Sequence, residues 1–331
     1  MATEIFFSLT EVFMKALVLG ATGYVGSAVA RTLKERGMLV HGLARNAANR
    51  EKLEAAGVVP IEGNLEDLAR LTELSQPFDV VVMAAMVPFE AEAGIMRALI
   101  AAQGQFHRHL LFTSGTGVLA IEAKDGAWNQ NTFAEDDPFP FPSRYNRDIR
   151  LKTENLVREA SSSSLSTYVI RPPLIYGNGA SVQIPQIFES VRKTGDACYL
   201  GYGLNLYSCV HVDDLAEVYA LAIEKGTPGA LYHAVSGEAN FRTIAEAVAE
   251  VAGCGTRSLS YEESCSLWGG FWVDIALAVN SRSIAKRTIA ELGWVPRHFD
   301  IISDIRSGSY FRRYRESPEG TDHAFSWTSH G

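Results

Sequence analysis

Short apolar runs and amphipathic segments alternate along the first half of the chain. The first run, Lys15–Leu19, is followed by a glycine, after which Val25, Val29 and Leu33 recur at four-residue spacing, as on one face of a helix. Further continuous apolar runs are typical of strands buried on both faces: residues 39–44, 58–61, 80–85, 109–113 and 165–170. This alternation predicts an α/β fold with a doubly wound parallel sheet.

The helices predicted between these strands cover residues 49–56, 65–74, 90–102 and 143–160. After Arg171 the pattern changes because prolines and glycines interrupt the chain, although residues 214–224 and 244–251 keep a helical periodicity. We therefore expect a smaller C-terminal portion over the carboxyl edge of the sheet, which returns a strand to that sheet near residues 230–235.

The composition is typical of a soluble globular protein, because 47% of the 331 residues are hydrophobic and 21% are charged. The formal net charge is −8 and no basic stripe is visible, which argues against nucleic acid as a partner. The apolar run at residues 80–87 is far shorter than the roughly 20 residues needed to span a bilayer. We therefore expect no membrane association.

Cysteine usage and the chain termini indicate a cytoplasmic protein. No CxxC pair is present among the cysteines, so we expect four reduced thiols and no metal site: Cys198, Cys209, Cys254 and Cys265. No Lys or Arg precedes the apolar residues 5–7, which argues against a secretory signal. Residues 1–13 and 316–331 are expected to be terminal extensions.

A glycine-rich motif, GATGYVG at residues 20–26, lies between the first predicted strand and the first predicted helix. Glycines at this spacing allow a tight turn, a close approach of backbone amides to a pyrophosphate, and close packing of the helix on the strand. The helix N-terminus then offers N–H groups and a partial positive charge to the phosphates. The sequence therefore predicts a Rossmann-type dinucleotide site with contacts from Gly20, Thr22, Gly23, Tyr24, Val25 and Gly26.

The residue at the end of the second strand indicates which dinucleotide binds. An acidic residue there would accept hydrogen bonds from the adenosine ribose, but this chain has Arg45, whose guanidinium suits a 2′-phosphate. We therefore expect NADP(H) in preference to NAD(H), the alternative being that Arg45 only solvates the strand end. The carboxyl ends of the other strands would complete the cofactor site through Asn64, Leu65, Ala84, Ala85, Thr113 and Pro172.

These expectations divide the chain into two portions. Residues 14–180 would form mainly the dinucleotide-binding Rossmann domain, and residues 181–315 mainly a substrate-binding portion. In the second portion Trp268, Phe271 and Trp272 form an apolar cluster that would suit a hydrophobic or aromatic substrate, although core packing explains it equally well. A small-molecule substrate is the expected partner. The oligomeric state stays open, with a homodimer as one alternative.

Four segments resemble the short-chain dehydrogenase/reductase superfamily in its extended or atypical branch, which includes epimerase/dehydratase-like proteins. They are GATGYVG at 20–26, HLLFTSGTGVLA at 109–120, RPPLIYG at 171–177 and VHVDDLAEVYALAIE at 210–224. The resemblance implies a nicotinamide dinucleotide and the reduction, oxidation, epimerisation or dehydration of small substrates. A few members of this superfamily have lost turnover and act as sensors or scaffolds, so the resemblance is also compatible with such a role.

The resemblance further implies a catalytic Ser or Thr after the fifth strand, and a Tyr followed four residues later by a Lys. Gly115 stands where the hydroxyl is expected, which leaves Ser114 or Thr116 as displaced substitutes. Tyr145 is present, but Ile149 stands where the lysine is expected. A register shifted by one residue makes Asn146 and Arg150 the equivalents instead. The catalytic set is therefore atypical.

The leading hypothesis is an NADP(H)-dependent oxidoreductase that acts on a small organic carbonyl or alcohol. Tyr145 is the predicted proton-transfer residue, with Ser114 assisting. The structural alternatives are that Tyr145 anchors the start of a helix and that Ser114 satisfies backbone groups at a strand end. Two other functions stay open: a non-redox isomerase or cyclase on the same scaffold, and a binding protein that senses the cofactor.

A second group of polar residues, His211, Asp213 and Asp214, has the composition of an acid–base cluster. Its position directly before an amphipathic helix favours a structural role. We expect Asp213 or Asp214 to be the N-cap of that helix and to interact favourably with its dipole.

Overall fold

The computed structural model describes residues 14–102, 107–143 and 147–316. The strands within these ranges are β1 (Lys15–Leu19), β2 (Leu39–Ala44), β3 (Val59–Glu62), β4 (Val80–Met83), β5 (Arg108–Thr113), β6 (Ile121–Glu122), β7 (Leu165–Arg171), β8 (Leu174–Tyr176), β9 (Ala197–Leu200), β10 (Leu206–His211), β11 (Leu231–His233), β12 (Gly237–Asn240), β13 (Thr256–Leu259) and β14 (Val279–Asn280). No helix in this part of the chain has the length and hydropathy needed to cross a membrane.

The α-helices of the same ranges are α1 (Tyr24–Glu35), α2 (Ala47–Ala55), α3 (Leu68–Ser75), α4 (Phe89–Ala101), α5 (Arg147–Glu159), α6 (Gln183–Thr194), α7 (Val212–Lys225), α8 (Phe241–Ala252), α9 (Tyr261–Trp268), α10 (Gly270–Trp272), α11 (Lys286–Leu292), α12 (Ile301–Ser307) and α13 (Ser309–Phe311). A 3₁₀ turn covers Thr116–Leu119. Two π-helical turns cover Val273–Leu277 and Arg312–Glu316.

Seven strands form one sheet in the order β11-β7-β5-β4-β1-β2-β3, and every pair in it is parallel. Alternate residues of β1 face opposite sides: Ala16 and Val18 pack in the core that includes α1 and α7, whereas Leu17 and Leu19 pack in the core that includes α3, α4 and α5. The predicted doubly wound parallel Rossmann sheet is therefore confirmed.

Side-chain caps explain why two helices begin away from their predicted first residues. The side chain of Asn46 accepts a hydrogen bond from the amide of Asn49 at 2.9 Å, so α2 begins at Ala47. Asp67 caps α3 in the same way, and that helix begins at Leu68 instead of at residue 65.

Three small sheets, which the apolar pattern did not indicate, combine strands of the C-terminal portion with β6 and β8 from earlier in the chain. They are β12-β10-β8, β13-β9 and β14-β6. Their strands pack with α6 and α8 around a separate hydrophobic core. β11 lies at the edge of the main sheet beside β7, within the stretch where a returning strand was expected.

The start of α7 differs from the prediction. His211 is the N-cap, and its Nδ1 accepts a hydrogen bond from the amide of Asp213 at 3.2 Å. Asp213 and Asp214 lie in the first helical turn, where their charges suit the helix dipole. The carboxylate of Asp214 is buried and accepts hydrogen bonds from the amides of Arg297 and His298. The prediction of an aspartate N-cap was therefore wrong, although the structural role of the group holds.

Candidate functional site

The carboxyl edge of the parallel sheet opens into a cavity of about 1160 Å³. The cavity begins at the glycine-rich motif between β1 and α1 and passes α4. It ends at a wall formed by the loop after β8, by α6 and by the π-helical turn Arg312–Glu316. Ligands of open α/β sheets bind at this edge. The volume exceeds the roughly 300–1,000 Å³ of a pocket for one small ligand, so it suits a dinucleotide and a substrate together.

Two glycines of the motif occupy positions where a side chain would not fit. Gly20 has a φ angle of +88°, and a Cβ atom on it would lie 2.7 Å from the Cα atom of Ala85. Gly26 lies so close to the end of β1 that a Cβ atom would be 2.1 Å from the carbonyl oxygen of Gly20. Gly20 therefore presents bare backbone at the cavity, which fits the close approach of a pyrophosphate, and Gly26 allows α1 to pack closely on β1.

The N-terminus of α1 has the electrostatics of an anion site. Gly23 is its N-cap and supplies no side-chain hydrogen bond, and no acidic residue lies in the first turn. Gly23, Tyr24 and Val25 all line the cavity. The positive end of the helix dipole therefore meets the cavity without a capping side chain.

Polar residues after β2 and β3 line the cavity near the N-terminus of α1. Arg45 directly follows β2, is exposed and lines the cavity. Asn64 follows β3, and its side-chain oxygen accepts hydrogen bonds from the amides of Glu66 and Asp67, each at 2.9 Å. These bonds fix the loop that brings Leu65 to the cavity. A guanidinium therefore lies where the sequence predicted one.

Most of the predicted cofactor residues line the cavity: Gly20, Thr22, Gly23, Tyr24, Val25, Arg45, Asn64, Leu65, Ala84 and Ala85. Gly26 instead packs on β1, and the hydroxyl of Thr113 is 2.7 Å from that of Tyr219. Pro173 lines the cavity in place of Pro172. Over the described ranges, no group of three or more His, Cys, Asp or Glu side chains could hold a metal ion.

Ser114 is buried at the end of β5 and does not line the cavity. Its hydroxyl donates a hydrogen bond to Glu154 Oε1 at 2.5 Å, and Arg171 pairs with the same carboxylate. Ser114, Glu154 and Arg171 are 5%, 1% and 6% exposed. The hydroxyl of Ser114 is therefore engaged with a buried ion pair.

The guanidinium of Arg150 lies beside Gly115. Its Nη1 is 3.4 Å from the point where a Cβ atom of Gly115 would stand. Its Nη2 donates hydrogen bonds to Glu92 Oε1 at 3.0 Å and to the carbonyl oxygen of Thr113 at 3.4 Å. The same group lies over the ring of Phe89, 4.6 Å from the centroid. A fixed positive charge is therefore present next to the position where the family hydroxyl is missing.

Glu92 belongs to this group and was missed by the sequence reasoning. It is 4% exposed, and burial raises its pKa to about 6, although Arg150 acts in the opposite direction. It shares a face of α4 with the buried Ile95 and Leu99, and a carboxylate among such residues was the available signal. Ala91 and Ile95 line the cavity, so Glu92 lies close behind its wall.

Tyr145 lies outside the described part of the chain. Before it, the carboxylate of Glu135 accepts hydrogen bonds from the amides of Arg287 and Thr288 at 3.0 and 3.1 Å, and so caps α11 from another part of the chain. After it, Arg147 donates to a backbone carbonyl of the 3₁₀ turn at 2.7 Å. Both flanks of the segment that contains Tyr145 are therefore attached to the folded body.

The loop after β8 contacts both the glycine motif and the C-terminal helices. The hydroxyl of Tyr24 donates to the carbonyl oxygen of Gly177 at 2.8 Å. On the opposite side, the amide of Gly177 donates to the hydroxyl of Tyr310 at 3.1 Å, and that of Gly179 donates to Ser309 Oγ at 2.8 Å. This loop therefore links the two ends of the cavity.

The predicted apolar cluster is divided by the structure. Trp272 lines the cavity. Trp268 packs against the C-terminal core, where its Nε1 donates to the carbonyl oxygen of Gln186 at 3.1 Å, and Phe271 is 36% exposed. The main aromatic feature of the far wall was not predicted: Phe188 and Tyr314 stack with ring centroids 3.8 Å apart.

A seven-stranded parallel sheet, a glycine-rich first crossover and a cavity at the carboxyl edge define a Rossmann-type α/β protein. Comparison with known families makes this assignment narrower. The profile of the NAD dependent epimerase/dehydratase family matches residues 16–235, and the chain belongs to this family of oxidoreductases and related enzymes. The resemblance to the extended short-chain dehydrogenase/reductase branch is confirmed.

Three individual proteins are similar to this chain in sequence or in structure. An uncharacterized protein of Schizosaccharomyces pombe is 31% identical over 90% of this chain and 100% of its own length. The 4-hydroxy-2-methyl-3-oxo-4-farnesyl-3,4-dihydroquinoline-1-oxide ketoreductase of Stigmatella aurantiaca is 29% identical over 68% of this chain and 69% of its own. The structure of a dTDP-glucose 4,6-dehydratase from Streptomyces venezuelae with NAD bound has a TM-score of 0.70, 18% identity, and coverage of 92% and 98% of the two chains.

Proposed function

We propose that this chain is an NADP(H)-dependent oxidoreductase that acts on a small organic carbonyl or alcohol. The observation that carries the proposal is the cavity, which runs from the uncapped N-terminus of α1 to the aromatic wall of the C-terminal portion. The Stigmatella relative is a ketoreductase by name, which supports a carbonyl substrate. A nicotinamide dinucleotide bound here would supply the hydride, and the chain would orient it toward the substrate.

In this proposal, residues 14–180 mainly bind the dinucleotide and residues 181–315 mainly bind the substrate. The amides of the first turn of α1 would contact the pyrophosphate, and Arg45 the 2′-phosphate. The proposed preference for NADP(H) rests on Arg45. The structure of the Streptomyces venezuelae dehydratase contains NAD. Gly26, Thr113 and Pro172 would support the cofactor site indirectly, because they do not line the cavity.

Tyr145 is the proposed proton-transfer residue. The proposal rests on the family pattern, in which a Tyr after the fifth strand transfers the proton. A guanidinium such as that of Arg150 at the end of β5 would favour the anionic form of any phenol or substrate oxygen that came close to it. For Ser114, the contact with Glu154 supports a positioning role: it helps to hold the Glu154–Arg171 pair at the end of the strand. Direct assistance in proton transfer would require this hydroxyl to leave the carboxylate.

A non-redox isomerase or cyclase is the second candidate. It is supported by the buried hydroxyl of Ser114 and by Ile149 at the position of the family lysine. On that alternative, the dinucleotide would bind without being consumed.

The two candidates are separated by mixing the protein with NADPH and a panel of ketones while absorbance of the reduced nicotinamide is followed. We expect NADPH consumption with at least one ketone, and a fall in kcat of about a hundredfold or more in Tyr145→Phe with unchanged NADPH affinity by calorimetry. Tyr202→Phe is the control, because that side chain is 64% exposed.

Tight NADPH binding without consumption would contradict the oxidoreductase assignment. Conversion of an unsaturated or cyclisable substrate under those conditions would support the second candidate instead. If neither NADPH nor NADH bound, both proposals would be wrong.

A further inference from the structure

The wall of the cavity opposite the glycine-rich motif, called the far wall here, contains two arginines. The proposed function assigns no role to either of them. Arg192 is in the last turn of α6 and Arg313 is in the π-helical turn Arg312–Glu316, and both line the cavity. Both lie near Tyr314: the guanidinium of Arg313 is 5.9 Å from the centroid of the Tyr314 ring, and Arg192 is one helical turn beyond Phe188, which stacks on that ring. Burial raises the pKa of the Tyr314 hydroxyl, whereas the positive charges of Arg313 and Arg192 lower it. Two cations at one wall are notable in a chain of net charge −8.

Contacts with the loop after β8 hold Arg313 in place. Its Nη1 donates to the carbonyl oxygen of Gly179 at 2.8 Å. Its Cβ and Cδ atoms are 3.1 and 3.0 Å from the point where a Cβ atom of Gly179 would stand, so this glycine makes the close packing possible. The carbonyl takes one of the five N–H donors of the guanidinium. The positive group is thus positioned at the cavity before any ligand arrives.

The charged side chains that the structure describes at this wall suit a monoanion. Two are positive, Arg192 and Arg313, and one is negative, Glu189, which pairs with Arg192 and also lines the cavity. A carboxylate would balance this charge and would match the fork of a guanidinium. A nucleoside diphosphate would bring additional negative charge close to Glu189.

Apolar groups surround the cations. The stacked rings of Phe188 and Tyr314 line the cavity, and Trp272 and Val251 do so as well. A ligand at this wall would therefore bury an apolar or aromatic body and place its anionic end at the arginines.

We propose that this wall is an anion subsite and that the substrate is a carbonyl compound with an apolar body and a carboxylate, which Arg313 binds together with Arg192. The inference rests on the proposed function, because it names the substrate class of the same site. It does not depend on which residue transfers the proton.

The test compares benzoylacetate with its ethyl ester, in which an ethyl group on the carboxyl group removes the negative charge. Dissociation constants are measured by calorimetry on protein saturated with NADP⁺, so that no turnover occurs. We expect the acid to bind more tightly than the ester, and Arg313→Ala to weaken the acid by about tenfold to a hundredfold without changing the ester. Arg312→Ala is the matched control, because that side chain lies in the same turn and is exposed.

Equal affinities of the acid and the ester would overturn the subsite, and so would an Arg313→Ala variant that binds the acid normally. UDP is titrated in parallel, and tighter binding of UDP than of benzoylacetate would overturn the carboxylate assignment. NADP⁺ affinity is measured separately for each variant. If NADP⁺ failed to bind, the proposed function would be wrong, and the subsite would then be judged from benzoylacetate and ester titrations without the dinucleotide.

Discussion

The two halves of the carboxyl edge differ in which groups form the site: mainly backbone at the end of β1, and side chains at the end of β5. At the end of β1 the site depends on backbone, because Gly20 and Gly26 leave no space for a Cβ atom and the N-terminus of α1, which has no capping side chain, lies at the cavity. At the end of β5 it is made of side chains from several elements, which are paired behind the cavity wall: Ser114 with Glu154, and Arg150 with Glu92. A backbone site is specified by local spacing, whereas a side-chain site depends on partners that are distant in sequence.

This contrast has consequences for mutation. One added carbon atom at the backbone site should lower stability and dinucleotide binding, because the surrounding backbone atoms have no space to move away. The side-chain site should be damaged when one member of a pair is lost and should recover when the pair is replaced together.

The largest effect is expected for Arg171→Met at the side-chain site. The substitution leaves Glu154 as an unpaired carboxylate that is 1% exposed. The free energy of unfolding should fall by about 3–5 kcal/mol, measured by denaturant titration. Adding Glu154→Leu should restore most of the loss, because the buried charge is then removed. A double variant as unstable as the single one would show that the pair is not a unit.

Gly26→Ala should produce the next largest effect, at the backbone site. The added Cβ atom would be 2.1 Å from the carbonyl oxygen of Gly20, so α1 must shift away from β1. We expect a loss of about 3 kcal/mol in the free energy of unfolding, together with loss of dinucleotide binding by calorimetry.

Gly94→Ala is the matched control for this substitution. Gly94 also lines the cavity, but it lies inside α4 and a Cβ atom there would make an ordinary contact of 3.6 Å with Leu68. It should stabilise the chain by about 0.5–1 kcal/mol. Equal losses for both variants would refute the close-packing argument.

Glu92→Gln examines the charge behind the wall of the side-chain site. Burial raises the pKa of Glu92 from its ordinary 4.5 to about 6, so the folded state holds the proton more tightly than the unfolded state. Its contribution to stability is present below about pH 4.5 and is lost as the pH rises through about 6. The stability advantage of the wild type over Glu92→Gln should therefore shrink by about 2 kcal/mol between about pH 4 and pH 7.

Glu90→Gln provides the comparison, because Glu90 is on the same helix and exposed, and its charge contributes only a small part of the raised pKa of Glu92. The pH profile of this variant should therefore lie much closer to that of the wild type than the profile of Glu92→Gln does. A parallel profile for Glu92→Gln would mean that the carboxylate of Glu92 ionises normally in the fold.

The smallest effect is expected for Arg45→Ala, which tests the proposed contact between Arg45 and the 2′-phosphate of NADP(H). NADPH should bind about tenfold more weakly, about 1.4 kcal/mol, while NADH affinity stays the same, both measured by calorimetry. Arg50→Ala is the control, because Arg50 pairs with Glu54 along α2, 3.9 Å away. Equal weakening of both coenzymes would contradict the proposed 2′-phosphate contact.

The sequence predicted the parts of this molecule that depend on neighbouring residues. The bounds of β1 and β2 and the positions of Gly20 and Gly26 follow from local apolar runs and glycine spacing. It could not predict that Arg150 pairs with Glu92, because 58 residues separate them and only the fold brings α4 and α5 together.

Helix starts show the same limit on a smaller scale. A cap is decided by which side chain reaches the first free amides, and His211 does this at α7 although aspartates follow it. The capping of α11 by Glu135 was harder still to predict, since Arg287 follows Glu135 by 152 positions in the sequence.

The hydrogen bonds of the loop after β8 limit how this protein can be redesigned. Tyr24 holds that loop from the first crossover, and Tyr310 holds it from near the opposite end of the chain. A chimaera that exchanged the C-terminal portion for that of another reductase would break one of these attachments at the junction. Such a graft should therefore bring its own counterpart of Tyr310, or keep residues 309–314 of the host.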